Sequence, residues 1–417
     1  MMSSLPRPLR VLRSARLADG SLVDITLDGE LVAAVTPADA AAEIDEASDL
    51  DLRGYLVVTA PAEPHAHLDK ARSWDAARPP AGDLVRAIES WRAFAAGQTE
   101  DDIAARARAQ ALENLAAGTT AIRTHVDLFA DHDPLRGVRA LVRVREELAE
   151  LIDIQLVALG GEWVPDDVYE GALDLGVDIV GGAPHLATDP HAELHRALDI
   201  AERRGAPVDL HTDESLDGPL TIVSYANRVA AWSQPRSAGH CVRLGTLPAD
   251  ELAEVIAAVA AADLRIITLP ITNLYLQGWE HPVSTPRGLT ATRALLDAGV
   301  VLGAGADNVR DPFNPVGRGD ALETASLLVT AGHLSLDEAL TAVTAGARAA
   351  MWLPEAGPVV GARAELLAVR ADSLGEAIAS GSPDRLVIHA GRLVARTTIH
   401  RDIAPAGVAA ASPSLTR

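Results

Sequence analysis

The chain has 417 residues, 48% of them hydrophobic but only 3% aromatic, and a formal net charge of −22 from 58 acidic and 36 basic side chains. So large an acidic excess argues against nucleic acid or an anionic membrane as partner, because their phosphates would be repelled. The single cysteine, Cys241, excludes an internal disulfide framework and any Cys-rich zinc site.

No run of about 18 apolar residues is present, so no membrane span is expected. The opening segment lacks the apolar stretch and cleavage site of a signal peptide. The expectation is a soluble cytoplasmic protein.

Residues 9–12, 22–27 and 31–35 read as short strands, with Asp28-Gly29 as a hairpin signal. An apolar run at 55–58 is followed by Glu63-Pro64-His65-Ala66-His67-Leu68-Asp69-Lys70. An H-x-H at the end of a buried strand points two imidazoles the same way, because strand side chains repeat every two residues. Imidazole is the commonest protein ligand for divalent transition metals. Lys70 is the sole lysine of a chain whose other 35 basic residues are arginine. Its place beside this motif suggests a site that needs a compact, flexible ammonium and not a planar guanidinium.

A helix is predicted from Thr99, with Asp102 three residues on in a capping-box-like start, to a stop at Gly118. Strand patterns at 55–60, 119–126, 153–159, 178–183, 207–211, 236–240, 264–269 and 300–305 alternate with helical stretches. Eight such units predict a (β/α)8 TIM barrel, with a doubly wound sheet as the alternative. Residues 363–398 return to strand patterns. Residues 1–57 and 356–400 are therefore expected to form a small β-sandwich around a barrel of 58–355. Residues 401–417 read as a disordered tail.

In a barrel of this kind the chemistry sits at the carboxyl ends of the strands. His65 and His67 fall after the first predicted strand, and His125 and Asp127 end the second. Glu162 follows the third, and His185 ends the fourth. His211, Asp213 and Glu214 end the fifth, and His240 the sixth. Asn273 and Gln277 follow the seventh, and Asp307 and Asn308 end the eighth. For His125 and His185 singly, a hydrogen-bonded structural role is the competing reading.

This order resembles the amidohydrolase superfamily, and more closely its cytosine deaminase branch. Further matching stretches are Arg123-Thr124-His125-Val126-Asp127, Ile154-Gln155-Leu156-Val157-Ala158, His211-Thr212-Asp213-Glu214, Leu276-Gln277-Gly278 and Asp311-Pro312-Phe313-Asn314-Pro315-Val316-Gly317. The resemblance implies one divalent metal ion, zinc or iron, on His65, His67, His211 and Asp307. The two-metal arrangement bridged by a carboxylated lysine would need a lysine on the fourth strand, and Lys70 is elsewhere. The implied reaction is hydrolytic deamination of an amino-substituted N-heterocycle, with release of ammonia or an amine. Asp307 would accept a proton from the attacking water, His240 would orient it, and Glu214 would shuttle a proton to the ring nitrogen and the leaving amine.

Two departures from that branch stand out. Gly161 takes the place of a glutamine that reads the pyrimidine amide edge, and Asn308 replaces an aspartate. The H-x-H-x-D-K ending and the Asp307-Asn308 pair resemble the N-isopropylammelide aminohydrolases. Lys70, Glu162, Asn308, Phe313, His125 and His185 are the expected substrate-binding residues. Opening of a cyclic amide is the alternative reaction, and metal binding without turnover the alternative class. A small-molecule substrate is the expected partner, and a homo-oligomer is compatible with the sequence.

Overall fold

The computed structural model describes residues 5–80, 82–131 and 133–402. The expected tail falls almost wholly on 403–417, outside the described residues. Eight parallel strands form a sheet whose spatial order follows the chain: Ala62–Ala66, Ala121–Asp127, Asp153–Leu159, Ile179–Val180, Val208–Thr212, Arg236–His240, Arg265–Thr268 and Leu302–Ala304. A parallel bridge between Ala66 and Asp307 brings the first strand against the segment that follows the last. This is the expected barrel, with helices outside it. The strands are buried along their whole length in several cases, as Ala62–Ala66 and Val208–Thr212 are, because helices cover the outside and side chains fill the inside.

One boundary differs from expectation. The run at 55–60 is not the first barrel strand. Tyr55–Thr59 pairs antiparallel with Leu366–Arg370 in a separate, mixed sheet of nine strands built from both ends of the chain. That sheet has its own apolar core, including Leu12, Ile25, Val57, Leu366 and Ile388. The barrel opens instead at Ala62–Ala66, so His65 lies inside its first strand and His67 just beyond.

Helix ends follow local chemistry. The helix Glu100–Ala116 starts where the Thr99 side chain accepts from Asp102 N, and three acids occupy its first turn. Gly118 follows at φ +111°, and a Cβ there would meet Leu367 Cδ2 at 2.8 Å. Ser335 and Glu338 close a full capping box at the start of Leu336–Val343.

Beneath the histidines the barrel holds a buried polar layer. Arg123 donates to Asp209 Oδ2 at 2.8 Å, to Ser237 Oγ at 3.0 Å and to Gln155 Oε1 at 3.0 Å. Its guanidinium also lies over the Trp352 ring, 4.0 Å from the centroid. The period of two then carries the chain upward from Arg123 to His125 and from Asp209 to His211, so one inward-facing layer supports the next.

Candidate active site

Three imidazoles converge above this layer. His211 Nε2 lies 3.2 Å from both His65 Nε2 and His67 Nε2. Asp307 Oδ1 is 3.4 Å from His67 Nε2 and 4.0 Å from His65 Nε2. Metal–nitrogen bonds of about 2.0–2.1 Å in a tetrahedron put neighbouring nitrogens about 3.3–3.4 Å apart, close to the spacing found here. All four residues are buried.

The protonation states agree with such a site. Burial, then the mutual proximity of the rings and of Lys70, pushes His65, His67 and His211 well below the ordinary histidine value. They are neutral, which is the form that ligates metals. Burial and the nearby Glu214 and Asp311 push Asp307 well above the carboxylate range, and neither of its oxygens has a hydrogen-bond partner. A buried carboxylate in that position is stable only with a proton or a cation beside it. Three neutral imidazoles and a carboxylate suit zinc or iron(II).

The residues behind this cluster are hydrogen-bonded into place. Glu63 accepts from His65 N at 3.2 Å and from Ala306 N at 2.8 Å, tying the first strand to the segment carrying Asp307. Gly305 permits this, since a Cβ there would sit 2.1 Å from Glu63 Oε1. Asp213 turns to the start of the following helix, accepting from Thr221 N at 2.8 Å and Ile222 N at 3.0 Å.

Glu214 and His240 form the next group. Glu214 Oε1 is 3.3 Å from His240 Nδ1, and Glu214 Oε2 is 3.5 Å from His185 Nε2. Gln277 holds the Glu214 backbone carbonyl at 2.6 Å, and Asn273 Nδ2 lies 3.1 Å from His240 Nδ1. Burial lowers the His240 pKa to about 4. Burial alone would raise Glu214, but His240 and His185 outweigh it and the carboxyl stays below its ordinary value. His240 Nε2 points toward Asp307 Oδ2 at 3.9 Å.

These groups open into a cavity of about 340 Å³ lined by His67, His211, Glu214, His240, Lys70 and Asn308 on its polar side. Asn308 donates to Asp311 Oδ2 at 2.7 Å, and Phe313 N is held by Asp311 Oδ1 at 2.9 Å. Lys70 Nζ lies 2.6 Å from Asp127 Oδ1 and 3.2 Å from His67 Nδ1. Trp91 Nε1 donates to the other Asp127 oxygen at 2.6 Å.

Three of the expected substrate-binding residues lie elsewhere. Glu162 is exposed and spends its carboxylate on Thr188 N and Oγ1, both at 3.0 Å. His125 packs against the imidazole cluster, its ring 4.0 Å from that of His65 and its Nε2 3.7 Å from Asp209. His185 lies behind Glu214, its Nε2 3.5 Å from Glu214 Oε2, and is not among the residues lining the cavity. Lys70, Asn308 and Phe313 do line it. Sequence reasoning missed the wall formed by the helix Leu84–Ala95, which supplies Leu84, Ile88, Trp91 and Arg92, and it missed Trp163.

The model of the amidohydrolase family designated Amidohydro_3 matches residues 95–395. The chain belongs to this amidohydrolase family. A pterin deaminase of Rhizobium rhizogenes is 31% identical over 91% of this chain and 87% of its own length. An N-isopropylammelide isopropyl amidohydrolase of Pseudomonas sp. is 26% identical over 93% and 98%. Among solved structures, 5-methylcytosine deaminase from Klebsiella pneumoniae superimposes with a TM-score of 0.85 at 27% identity, covering 94% of this chain and all of the other. N-isopropylammelide isopropylaminohydrolase from Burkholderia multivorans gives 0.78 at 30%, covering 93% and 98%. This amidohydrolase is a hydrolase of carbon–nitrogen bonds other than peptide bonds.

Proposed function

We propose that this amidohydrolase is a metal-dependent hydrolytic deaminase of an amino-substituted N-heterocycle, with a fused aminopyrimidinone of the pterin type as the preferred ring. The observation that carries the reading is the placement of Glu214, bracketed by His185 and His240, at the edge of the imidazole cluster and facing the cavity.

His65, His67, His211 and Asp307 would hold the ion, which when bound supplies the Lewis acidity that brings water's pKa toward neutrality. Asp307 takes the proton that water loses as its oxygen bonds to the amine-bearing ring carbon. His240 Nε2, aimed at the same space, orients the water. Glu214, held ionised by His240 and His185, relays one of the water's two protons to the adjacent ring nitrogen and the other, by way of Asp307, to the amine. The C–N bond breaks, a ring carbonyl forms, and ammonia leaves. The ammonium of Lys70 and the amide of Asn308 face the ring's carbonyl edge from the other side of the cavity.

Two features favour a fused ring over a single one. The cavity, of about 340 Å³, falls in the range of about 300–1,000 Å³ that takes drug-sized ligands, roomier than a bare aminopyrimidine needs. Its upper walls are apolar and aromatic, with Trp91, Phe129, Trp163 and Phe313. Gly161 also leaves no amide side chain for a single-ring pyrimidine edge, and the pterin deaminase relative is consistent with that choice.

The test is an ammonia-release screen of pterin, aminopyrimidines and aminotriazines, with metal analysis of the same sample. Stoichiometric ammonia from pterin in preference to cytosine is expected. A ring-opened product without ammonia would replace this reading with cyclic-amide hydrolysis.

A further inference from the structure

The cavity carries two cations, and only one is neutralised. Lys70 is paired with Asp127 at 2.6 Å and has Asp69 at 3.8 Å. Arg92, on the exposed side of the helix Leu84–Ala95, lines the cavity with no carboxylate or hydrogen-bond partner for its guanidinium among the described residues. The acids that line the same space are engaged: Asp127 with Lys70, Glu214 with its two histidines, and Asp131 with Arg136 at 2.8 Å. In a chain of net charge −22, a guanidinium left free at a pocket mouth is an uncompensated positive charge.

Its position is built. The guanidinium lies over the Trp163 ring, 4.7 Å from the centroid. That geometry leaves the in-plane N–H groups of the fork open while stacking holds its face. Trp163 is in turn seated against Gly161, where a Cβ would come within 2.4 Å of the ring. The glycine that removes the expected glutamine therefore makes room for the indole carrying Arg92. Between this pair and the polar floor, the wall is apolar, with Leu84, Ile88 and Phe129.

We propose that Arg92, stacked on Trp163, is a specificity residue that binds an anionic substituent of the substrate, a carboxylate projecting from the ring away from the amine that is removed. The inference rests on the deaminase reading above and adds to it: the ring enters amine-first toward Glu214, its body lies along the apolar wall, and its acidic end meets the guanidinium. A planar carboxylate matches the two parallel donors of the fork.

The test compares pterin with pterin-6-carboxylate on the metal-loaded wild type and on Arg92→Ala and Arg92→Lys. The wild type is expected to favour the carboxylate. Arg92→Ala should lower kcat/KM for the carboxylate about tenfold, chiefly through KM, the lower end for a charge-assisted contact at an exposed site. It should change pterin itself less than about twofold. Arg92→Lys should recover part of the loss, and the wild-type preference should shrink with added salt. Equal losses on both compounds, or none on either, would overturn the proposal. Absence of ammonia from both compounds on wild type would instead refute the deaminase reading. In that event, calorimetric binding of the two compounds to wild type and Arg92→Ala still decides the role of Arg92, by the same tenfold difference or its absence.

Discussion

Replacing Asp127 by alanine removes the one carboxylate shared by Lys70 and Trp91, each 2.6 Å away. Lys70 is 3% exposed, so its ammonium would keep only Asp69 Oδ2 at 3.8 Å and His67 Nδ1 at 3.2 Å. Taking one partner from a buried ion pair costs about 3–5 kcal/mol, and Asp69 offsets part of that. The buried Trp91 indole would lose its acceptor, at about 1–3 kcal/mol. Both losses pass through one side chain and do not add in full, so the combined cost is about 3–5 kcal/mol. With an m-value of about 3 kcal/mol/M, the urea midpoint should fall by more than about 1 M. Asp127→Asn keeps the shape and one acceptor and should lose about half as much. The double variant Lys70→Met/Asp127→Leu should be more stable than Asp127→Ala, because the buried ammonium is gone and Asp69, which loses Lys70, keeps the residue-127 backbone N–H at 3.0 Å and takes up a proton readily, burial already pushing it up to about 6. The pH dependence gives a second readout. Burial would lower the Lys70 pKa, but Asp127 and Asp69 outweigh it and hold it above the ordinary 10.5. A raised lysine contributes stability that is full below 10.5 and is lost as pH rises through the folded value. That alkaline loss should be weaker in Asp127→Ala. A midpoint unchanged from wild type, or a double variant no more stable than the single one, would refute the reasoning.

Glu214→Gln should lower kcat by about 10²–10⁴ while metal content stays the same, and wild-type turnover would remove Glu214 from the proton path. Stripping metal with a chelator should abolish activity and lower the melting temperature, both restored by zinc or iron, and full activity in metal-free protein would sink the metal requirement. Asp209 is pushed up by burial and pulled down further by Arg123 and His125, so its net pKa is below the ordinary 3.8. Its contribution to stability is present above 3.8 and is lost as pH falls through the folded value, a step that acid titration of Asp209→Asn should lack. Cys241 is fully buried and burial pushes its thiol well above the ordinary value, so a thiol reagent should label it only after unfolding.

The barrel and the rim positions of the clustered histidines were legible because both depend on periodicity. Strand residues alternate in direction, and polar side chains at strand ends face one rim, so His65, His211, His240 and Asp307 could be placed by counting. The run at 55–60 was misassigned because two-sided burial looks the same in a barrel strand and in a sheet packed on both faces, and only the partner strand at Leu366–Arg370 separates them. Glu162 and Trp163 show the limit at loop level. One residue decides which of them faces the cavity, and no period operates there. Trp91 and Arg92 were illegible for another reason. Their helix reads as an ordinary amphipathic segment, and it is held over the barrel mouth by Asp127, Arg136, Leu276 and Phe313, residues it meets only in three dimensions.

The backbone at the rim explains why the site needs so much support. Asp213, His240, Cys241 and Asp307 all have positive φ, between +48° and +65°. Each such residue costs about 1–3 kcal/mol unless its surroundings hold it. A strand that simply continued would turn alternate side chains away from the axis, whereas a left-handed residue at its end redirects the next one. The restraints lie beside each strained residue: Asp213 is fixed by three donors from Thr221 and Ile222, His240 by its strand pairing with Thr212, Cys241 N by the carbonyls of Thr212 and Gly239, and Asp307 by its bridge to Ala66. The buried polar layer of Arg123, Gln155, Asp209 and Ser237 underlies the same rim. Hydrogen bonds at this rim thus hold imidazoles and carboxylates in positions that isolated strands would not adopt.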